Sequence, residues 1–285
     1  MRFTYYPGCA SSSFAREHDS SSRATGKLLG IDLAELENWN CCGADSVRSI
    51  DRFTSVVLPV RNLALSEKTD LDLLVTCPGC YQVFSRAREL CEEDGSLKAK
   101  VNAALSRLDL TYSGKARARH LLDVIVNDIG LTKISQGVKK QLTSIKAVPY
   151  YGCQHAGFPK SARFDDPQRP QTLSRLIAAL GAEPVPFPSV TRCCGGPLFM
   201  THPEAASQMT RNLLRSAKAA GGQCIVTTCE LCHFNLDARQ SAIEKLYGEK
   251  YSIPIVHFTQ LLGLGLGIDS KTLGLDRNIV PFNFS

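Results

Sequence analysis

Runs of charge of one sign are missing from this chain of 285 residues. Its net charge is +6, from 33 basic and 27 acidic residues, yet no stretch of Lys and Arg exceeds the pair Lys139-Lys140. A nucleic-acid groove or a polybasic tail needs clustered basic residues, so no nucleic-acid partner is expected. Long apolar runs are missing too. The best candidate, 253–268, is interrupted by His257, Thr259 and Gln260 and falls short of the 18 or more apolar residues of a membrane-spanning helix. Met1 to Gly8 holds no apolar core of the signal-peptide kind. Together these absences predict a soluble, cytoplasmic chain with no membrane span. Nucleotide signatures are also lacking. There is no Walker A motif, and Gly263-Leu264-Gly265-Leu266-Gly267 lacks dinucleotide-loop spacing and sits in an apolar helical run. With 44% hydrophobic, 21% charged and 7% aromatic residues, the composition is that of a globular protein and excludes disorder, collagen and coiled coil.

What the chain has in excess is cysteine. Twelve are present: Cys9, Cys41, Cys42, Cys77, Cys80, Cys91, Cys153, Cys193, Cys194, Cys224, Cys229 and Cys232. Thiols stay reduced in the cytoplasm, so clustered cysteines there point to metal or redox chemistry.

The chain repeats itself. Tyr5-Tyr6-Pro7-Gly8-Cys9 is echoed by Tyr150-Tyr151-Gly152-Cys153, and Cys41-Cys42-Gly43 by Cys193-Cys194-Gly195. Arg61-Asn62-Leu63 returns as Arg211-Asn212-Leu213, and Cys77-Pro78-Gly79-Cys80 as Cys229-Glu230-Leu231-Cys232. The offset is 144 at the first cysteine and 152 at the later ones, which places an eight-residue insertion near 164–170. The economical division is into two homologous halves, 1–143 and 144–285. Strand signals at 2–6, 71–76, 145–151 and 224–228 alternate with helical patterns. One of these patterns repeats through Met209, Leu213 and Ala217 after Pro203, and its counterpart through Val56, Val60 and Leu63 is expected to kink or divide at Pro59. Such alternation predicts an α/β fold of two Rossmann-like halves with mainly parallel sheets. Residues 81–130 add a helical segment to the first half. Cys9, Cys77, Cys153 and Cys229 then fall at the carboxyl ends of strands, where open α/β sheets place their ligands.

Each half carries Cys, a spacer of 31 or 39 residues, Cys-Cys, a spacer of 34, and Cys-x-x-Cys. Zinc takes four ligands, usually from two Cys-x-x-Cys knuckles, and a cubane 4Fe–4S cluster takes four thiolates in denser runs. Five cysteines are one too many for either. The surplus implies a spare ligand or a cluster of unusual geometry, and a vicinal pair can grip two irons or two faces of one cluster.

This pattern resembles the cysteine-rich CCG domain, present twice in the B subunit of heterodisulfide reductase. The likeness spans essentially the whole chain. It includes Tyr151-Gly152-Cys153, Asn40-Cys41-Cys42-Gly43, Arg192-Cys193-Cys194-Gly195-Gly196, Cys229-Glu230-Leu231-Cys232-His233-Phe234-Asn235-Leu236-Asp237 and Thr259-Gln260-Leu261-Leu262-Gly263-Leu264. The resemblance implies two non-cubane 4Fe–4S clusters that face one another across a disulfide, each with five cysteine ligands. Cys9, Cys41, Cys42, Cys77 and Cys80 would hold one, and Cys153, Cys193, Cys194, Cys229 and Cys232 the other. It also implies a complex with a cubane 4Fe–4S ferredoxin-like subunit and a flavoprotein subunit. The substrate would be a small thiol or disulfide, or a lipoate-bound sulfur.

Other residues take lesser roles. His155 and His233 stand beside cluster cysteines, either as structurally bonded histidines or as groups near the cluster that deliver protons to product thiolates. Gly195 and Gly196 are expected to bring backbone close to a cluster, or to form a simple turn. Cys91 and Cys224 do not repeat between halves and read as core residues. The first functional reading is a subunit that reduces, or oxidatively forms, disulfides. The second is an electron-transfer subunit that relays electrons from a flavoprotein dehydrogenase to quinone. A metal-free dithiol oxidoreductase at Cys77 and Cys80 leaves the vicinal pairs unexplained.

Overall fold

Short buried strands and amphipathic helices alternate to build two parallel sheets of four strands each. The computed structural model describes residues 1–283, apart from the side chain of Asp45, so residues 284–285 of the second expected half lie outside the described residues. The first sheet contains β1 (Arg2–Tyr6), β2 (Asp32–Glu35), β3 (Leu73–Val75) and β4 (Ala118–His120), in the order β2-β1-β3-β4. The second contains β5 (Lys146–Tyr150), β6 (Glu183–Pro184), β7 (Cys224–Thr227) and β8 (Ile255–His257), in the matching order β6-β5-β7-β8. Registers correspond as well: Tyr6 sits beside Val75 in one sheet and Tyr150 beside Thr227 in the other.

The first sheet is wound with α1 (Gly8–Ser11), α2 (Arg16–Leu28), α3 (Ala44–Ile50), α4 (Thr54–Glu67), α5 (Pro78–Glu93) and α6 (Gly95–Leu105). Beyond β4, α7 (Leu121–Asp123) and α8 (Leu131–Gly137) are joined through a π-helical stretch, Val124–Gly130. The second sheet is wound with α9 (Cys153–Ala156), α10 (Thr172–Ala179), α11 (Pro203–Ala219), α12 (Glu230–Ala238), α13 (Gln240–Tyr247) and α14 (Phe258–Gly265). Among the described residues, no helix is long and apolar enough to cross a membrane.

Two expectations need correcting. The stretch 81–130 is not all helix, because Ala118–His120 pairs with Leu73–Val75 as the fourth strand of the first sheet. Three residues are too few to print a strand period in the sequence. Also, α4 runs through Pro59 undivided. The extra residues of the second half fall where the offset put them: α9 and α10 are separated by 157–171, whereas only 12–15 separate α1 from α2.

In each sheet the winding reverses between the two central strands, β1 and β3 or β5 and β7. Their carboxyl ends therefore flank the crevice of a doubly wound sheet. Each sheet has its own apolar cluster on one face. A third cluster belongs to both, joining Phe3 and Leu74 of the first sheet to Ala147, Val226 and Val256 of the second. The α7–α8 rod fills it from one side with Val124, Ile125 and Ile134, and α14 with Leu261 and Leu262. Helix α14 packs along α2, where the hydroxyls of Ser21 and Thr259 meet at 2.7 Å. The glycine-rich run is packing, not a loop: a Cβ on Gly263 or Gly265 would strike Leu273 or Leu180.

Leu262 is fully buried in the shared cluster, whereas Leu246 on α13 is 65% exposed. We expect Leu262→Ala to destabilise the chain by about 2–5 kcal/mol and Leu246→Ala by under about 0.5 kcal/mol. Denaturant titration of the two variants measures the difference.

Candidate metal centres at two five-cysteine sites

All ten repeated cysteines lie at the carboxyl edge of their sheet. Cys9 sits in α1 directly after β1, and Cys153 opens α9 after β5. Cys77 and Cys229 are the N-cap residues of α5 and α12, at the ends of β3 and β7. Cys80 and Cys232 follow in the first turn of those helices. The vicinal pairs come from the loops that follow β2 and β6. A helix N-terminus presents unpaired N–H groups and favours negative charge, which suits thiolates.

A tyrosine three residues before the first cysteine clamps each vicinal loop. The Tyr6 hydroxyl donates to the carbonyl of Asn40 (3.0 Å) and the Tyr150 hydroxyl to that of Arg192 (2.6 Å), the residues just before Cys41 and Cys193. Asn235 and Thr210 both donate to the Cys194 carbonyl, at 2.9 and 2.8 Å. Gly43 and Gly195 then turn the chain with φ of 89° and 87°, a region that favours glycine. Their N–H groups point back at the Cys41 and Cys193 sulfurs, at 3.5 and 3.4 Å, and the Gly196 N–H points at Cys194 Sγ at 3.3 Å. A Cβ on Gly195 would lie 2.8 Å from the Ala206 carbonyl oxygen, so this turn leaves no room for a side chain.

The sulfurs are linked in the same sequence in both halves. In the first, Cys9 meets Cys41 (3.8 Å), Cys41 meets Cys42, Cys42 meets Cys80 (3.3 Å), and Cys80 meets Cys77. In the second the order is Cys153, Cys193, Cys194, Cys232, Cys229. Hydrogen bonding with Cys42 and Cys9 holds the Cys41 thiol far below the ordinary thiol range, and bonding with Cys153 and Cys194 does the same for Cys193. Their proton-holding neighbours Cys42 and Cys194 are pushed up to about 12, first by the bonds to Cys41 and Cys193 and then by burial.

The two sets confront one another in a crossed arrangement: α1 packs on α12, and α5 packs on α9. Gln82 of α5 donates to the Gly157 carbonyl (2.7 Å), and Phe14 meets Phe234 at 5.1 Å between ring centres. Behind them lies a buried seam of ionisable groups that no sequence motif announced. His18 Nδ1 is 3.0 Å from Glu230 Oε1, and the His18 and His233 rings each stack on His257 at 4.1 Å. Burial lowers the pKa of His233 to about 3 and holds that of His257 well below its ordinary value, with His18 adding to both shifts. Glu17, His233 and His257 bring three ligand atoms within 4.8 Å of one another. The two imidazoles lie only 17° from parallel, however, so their in-plane lone pairs run side by side and do not converge on one ion.

His155 shares α9 with Cys153. Its ring packs among Tyr151, Phe158 and Phe164, burial lowers its pKa, and its Nε2 has no hydrogen-bond partner. Cys91 is buried within α5 and Cys224 opens β7, both away from the two sets. Sequence reasoning missed Tyr6, Tyr150, His18 and Glu230. The tyrosines were visible in the repeat, since both stand at the same distance before the first cysteine. Nothing in the sequence pairs His18 with Glu230, 212 residues away.

The donor set fits an iron–sulfur centre. Each site offers five soft thiol ligands in one contiguous group, one more than tetrahedral zinc takes, and backbone N–H groups are aimed at the sulfurs. The backbone is also drawn in close, since a Cβ on Gly152 would lie 2.9 Å from Cys232 Sγ.

The fold and this duplicated thiol set define a two-domain cysteine-rich protein of the CCG class. Residues 3–85 and 148–237 each match the family model of the CCG cysteine-rich domain, and the chain belongs to that family, grouped with the B subunits of heterodisulfide reductases. It is 34% identical over 278 residues to the 8-methylmenaquinol:fumarate reductase membrane anchor subunit of Wolinella succinogenes, covering 98% of this chain and 96% of that one. Identity is 32% over 255 residues to the B subunit of the ferredoxin/F(420)H(2)-dependent CoB-CoM heterodisulfide reductase of Methanosarcina acetivorans, covering 88% and 85%. It is 31% over 277 residues to a protein of Archaeoglobus profundus described as like the heterodisulfide reductase B subunit, covering 95% and 92%. A crystal structure of a hypothetical protein from Helicobacter pylori shares the fold, with a TM-score of 0.80 at 13% identity. This chain is covered completely in that comparison and spans about half, 53%, of the other.

The tight turn at Gly152 can be tested against a looser one. Gly152 and Gly30 both have positive φ, but only at Gly152 would a Cβ have a neighbour within 4 Å. Gly152→Ala is therefore expected to displace the Cys232 thiol and to destabilise the chain by more than Gly30→Ala, which costs only backbone strain of about 1 kcal/mol; denaturation of both variants tests this. A further expectation concerns acid. Burial lowers the pKa of His120 to about 3, so the unfolded chain binds its proton first as pH falls below about 6.5. Stability is then lost at about 1.4 kcal/mol per pH unit for that one group, down to its folded pKa. His120→Phe should flatten the dependence of unfolding free energy on pH between about 6 and 4 by that amount.

Proposed function

We propose that this chain is the iron–sulfur catalytic subunit of a heterodisulfide-reductase-like complex, reducing a disulfide, or forming one from two thiols, between two non-cubane 4Fe–4S centres. Cys9, Cys41, Cys42, Cys77 and Cys80 hold the first, within a domain 1–143 that carries a helical extension. Cys153, Cys193, Cys194, Cys229 and Cys232 hold the second, within a domain 144–285. The observation that carries this reading is the presence of two complete five-thiol sets on helices packed across one seam.

Reductive cleavage of one S–S bond consumes two electrons and two protons and releases two thiols. The centres, when bound, supply the two electrons, one from each. The protein's own part is positional. Strand ends and glycine turns fix the sulfurs, and the crossed helices hold the two sets opposite each other. His155 is two residues from Cys153 and has an unpartnered Nε2. We assign it to proton delivery, relaying rather than storing the proton, because burial disfavours its charged form. Gly195 and Gly196 direct their N–H groups at ligand sulfurs. Electrons reach the chain through partner subunits, a cubane 4Fe–4S ferredoxin-like chain and beyond it a flavoprotein, and the substrate is a small thiol or disulfide or a lipoate-bound sulfur.

A second reading, relay of electrons between a flavoprotein dehydrogenase and quinone, draws on the similarity to the Wolinella succinogenes subunit. Apolar residues exposed just after each vicinal pair, Ile50 and Phe53 in one half and Leu198 and Met200 in the other, fit a lipid-soluble carrier.

Metal analysis and electron paramagnetic resonance of the anaerobic protein decide between these. Catalysis predicts about eight irons and eight sulfides per chain, the content of two four-iron centres, with a signal that appears on adding thiol under oxidising conditions. Iron without a thiol response supports the relay, and zinc in both sites refutes both. In Cys194→Ala the iron content should fall to about four and disulfide turnover should be lost while the fold persists. Full turnover in that variant would sink the two-centre mechanism.

A further inference from the structure

Glu230 begins in one cysteine site and ends at the other. Its backbone follows Cys229 as the first residue of α12. Its side chain crosses the seam and is 1% exposed. There Oε1 meets His18 Nδ1 at 3.0 Å and accepts from the Thr76 hydroxyl at 3.4 Å. Thr76 is the residue before Cys77, and the Cys77 thiol lies against the same carboxylate. The other oxygen, Oε2, is buried with no hydrogen-bond partner. His18 is itself held face to face with His257 at 4.1 Å, which fixes the position of the carboxylate's partner.

The duplication makes this contact one-sided. At the position equivalent to Glu230 the first half has Pro78, which carries no polar side chain to extend toward Cys229. The order of contacts, the tyrosine clamps, the glycine turns after the vicinal pairs and the N-cap positions are matched between the two sets. We infer that Glu230 is a positioning residue that acts across the seam on the first centre through Cys77, and that it makes the two otherwise matched centres inequivalent. This rests on the proposal that both thiol sets hold iron–sulfur centres. A polar group against a ligand sulfur tunes a metal centre, and a buried one does so without screening by water. The two centres then differ in potential, which gives the pair a preferred order of electron transfer to and from the substrate.

The test uses the full-length, anaerobically loaded chain in two backgrounds: Cys194→Ala, which keeps the first centre, and Cys42→Ala, which keeps the second. Glu230→Gln is added to each, because glutamine preserves the volume and the contacts to Thr76 and His18. Redox titration monitored by paramagnetic resonance should show a shifted potential in the first background and an unchanged one in the second. Equal shifts in both, or none in either, would overturn the inference. A second measurement does not depend on iron. In the metal-free full-length chain, Glu230→Gln should change the alkylation rate of Cys77 several-fold and leave that of Cys229 unaltered, as read by mass spectrometry. Equal effects on the two cysteines, or none, would overturn it as well. If the parent chain takes up no iron, the proposed function fails while the alkylation result still decides the role of Glu230.

Discussion

Five thiols drawn into contact repel one another as soon as more than one ionises, and the rest of the structure is arranged around that constraint. The chain meets it with backbone rather than with cations. No Lys or Arg pairs with any of the ten cysteines among the described salt bridges and hydrogen bonds. The compensating dipoles are instead the N-termini of α5 and α12 and the N–H groups of Gly43, Gly195 and Gly196. Backbone donors are fixed by the fold and cost no side-chain entropy to place. This is why glycines with positive φ follow each vicinal pair, and why a tyrosine hydroxyl is used to pin the preceding carbonyl.

The second demand is that the two sets hold a fixed separation. Independent domains joined by a linker would not provide it. Here the apolar cluster common to both sheets, the α2–α14 contact and the stacked histidines lock the halves together. His233 and His257 fit this role because burial disfavours their charged forms and lets their rings pack like aromatics, and His18 is held by Glu230 at 3.0 Å. The same seam that fixes the separation thereby carries the Glu230 carboxylate from one sulfur set to the other.

Duplication explains the matched parts and leaves the unmatched ones to be accounted for. The insertion before α10, the longer α5 and α6, and the replacement of a proline by Glu230 are all departures from twofold repetition. The first two meet each other, the Tyr81 hydroxyl of α5 donating to the carbonyl of Ala162 in the insertion at 2.7 Å. The third is buried between the sites, where a single polar group has large consequences.

Much of this was legible in the sequence. The spacing of Cys9, Cys41, Cys42, Cys77 and Cys80, repeated from Cys153 to Cys232, marked the thiols that the fold gathers into two sets, because vicinal and Cys-x-x-Cys spacings are local and survive duplication intact. The strands β1, β3, β5 and β7 were legible too, since each is a buried apolar run. The edge strands β2, β4, β6 and β8 were not, being two to four residues long and held by their neighbours rather than by their own pattern. What only the tertiary structure decided is which half faces which. The crossing of α1 on α12 and α5 on α9, the reach of Glu230 to Cys77, and the His18–His257–His233 stack join residues far apart in the chain, most of them from opposite halves. Such contacts are set by how two finished sheets pack, and packing between distant segments leaves no period or spacing in the chain that encodes it.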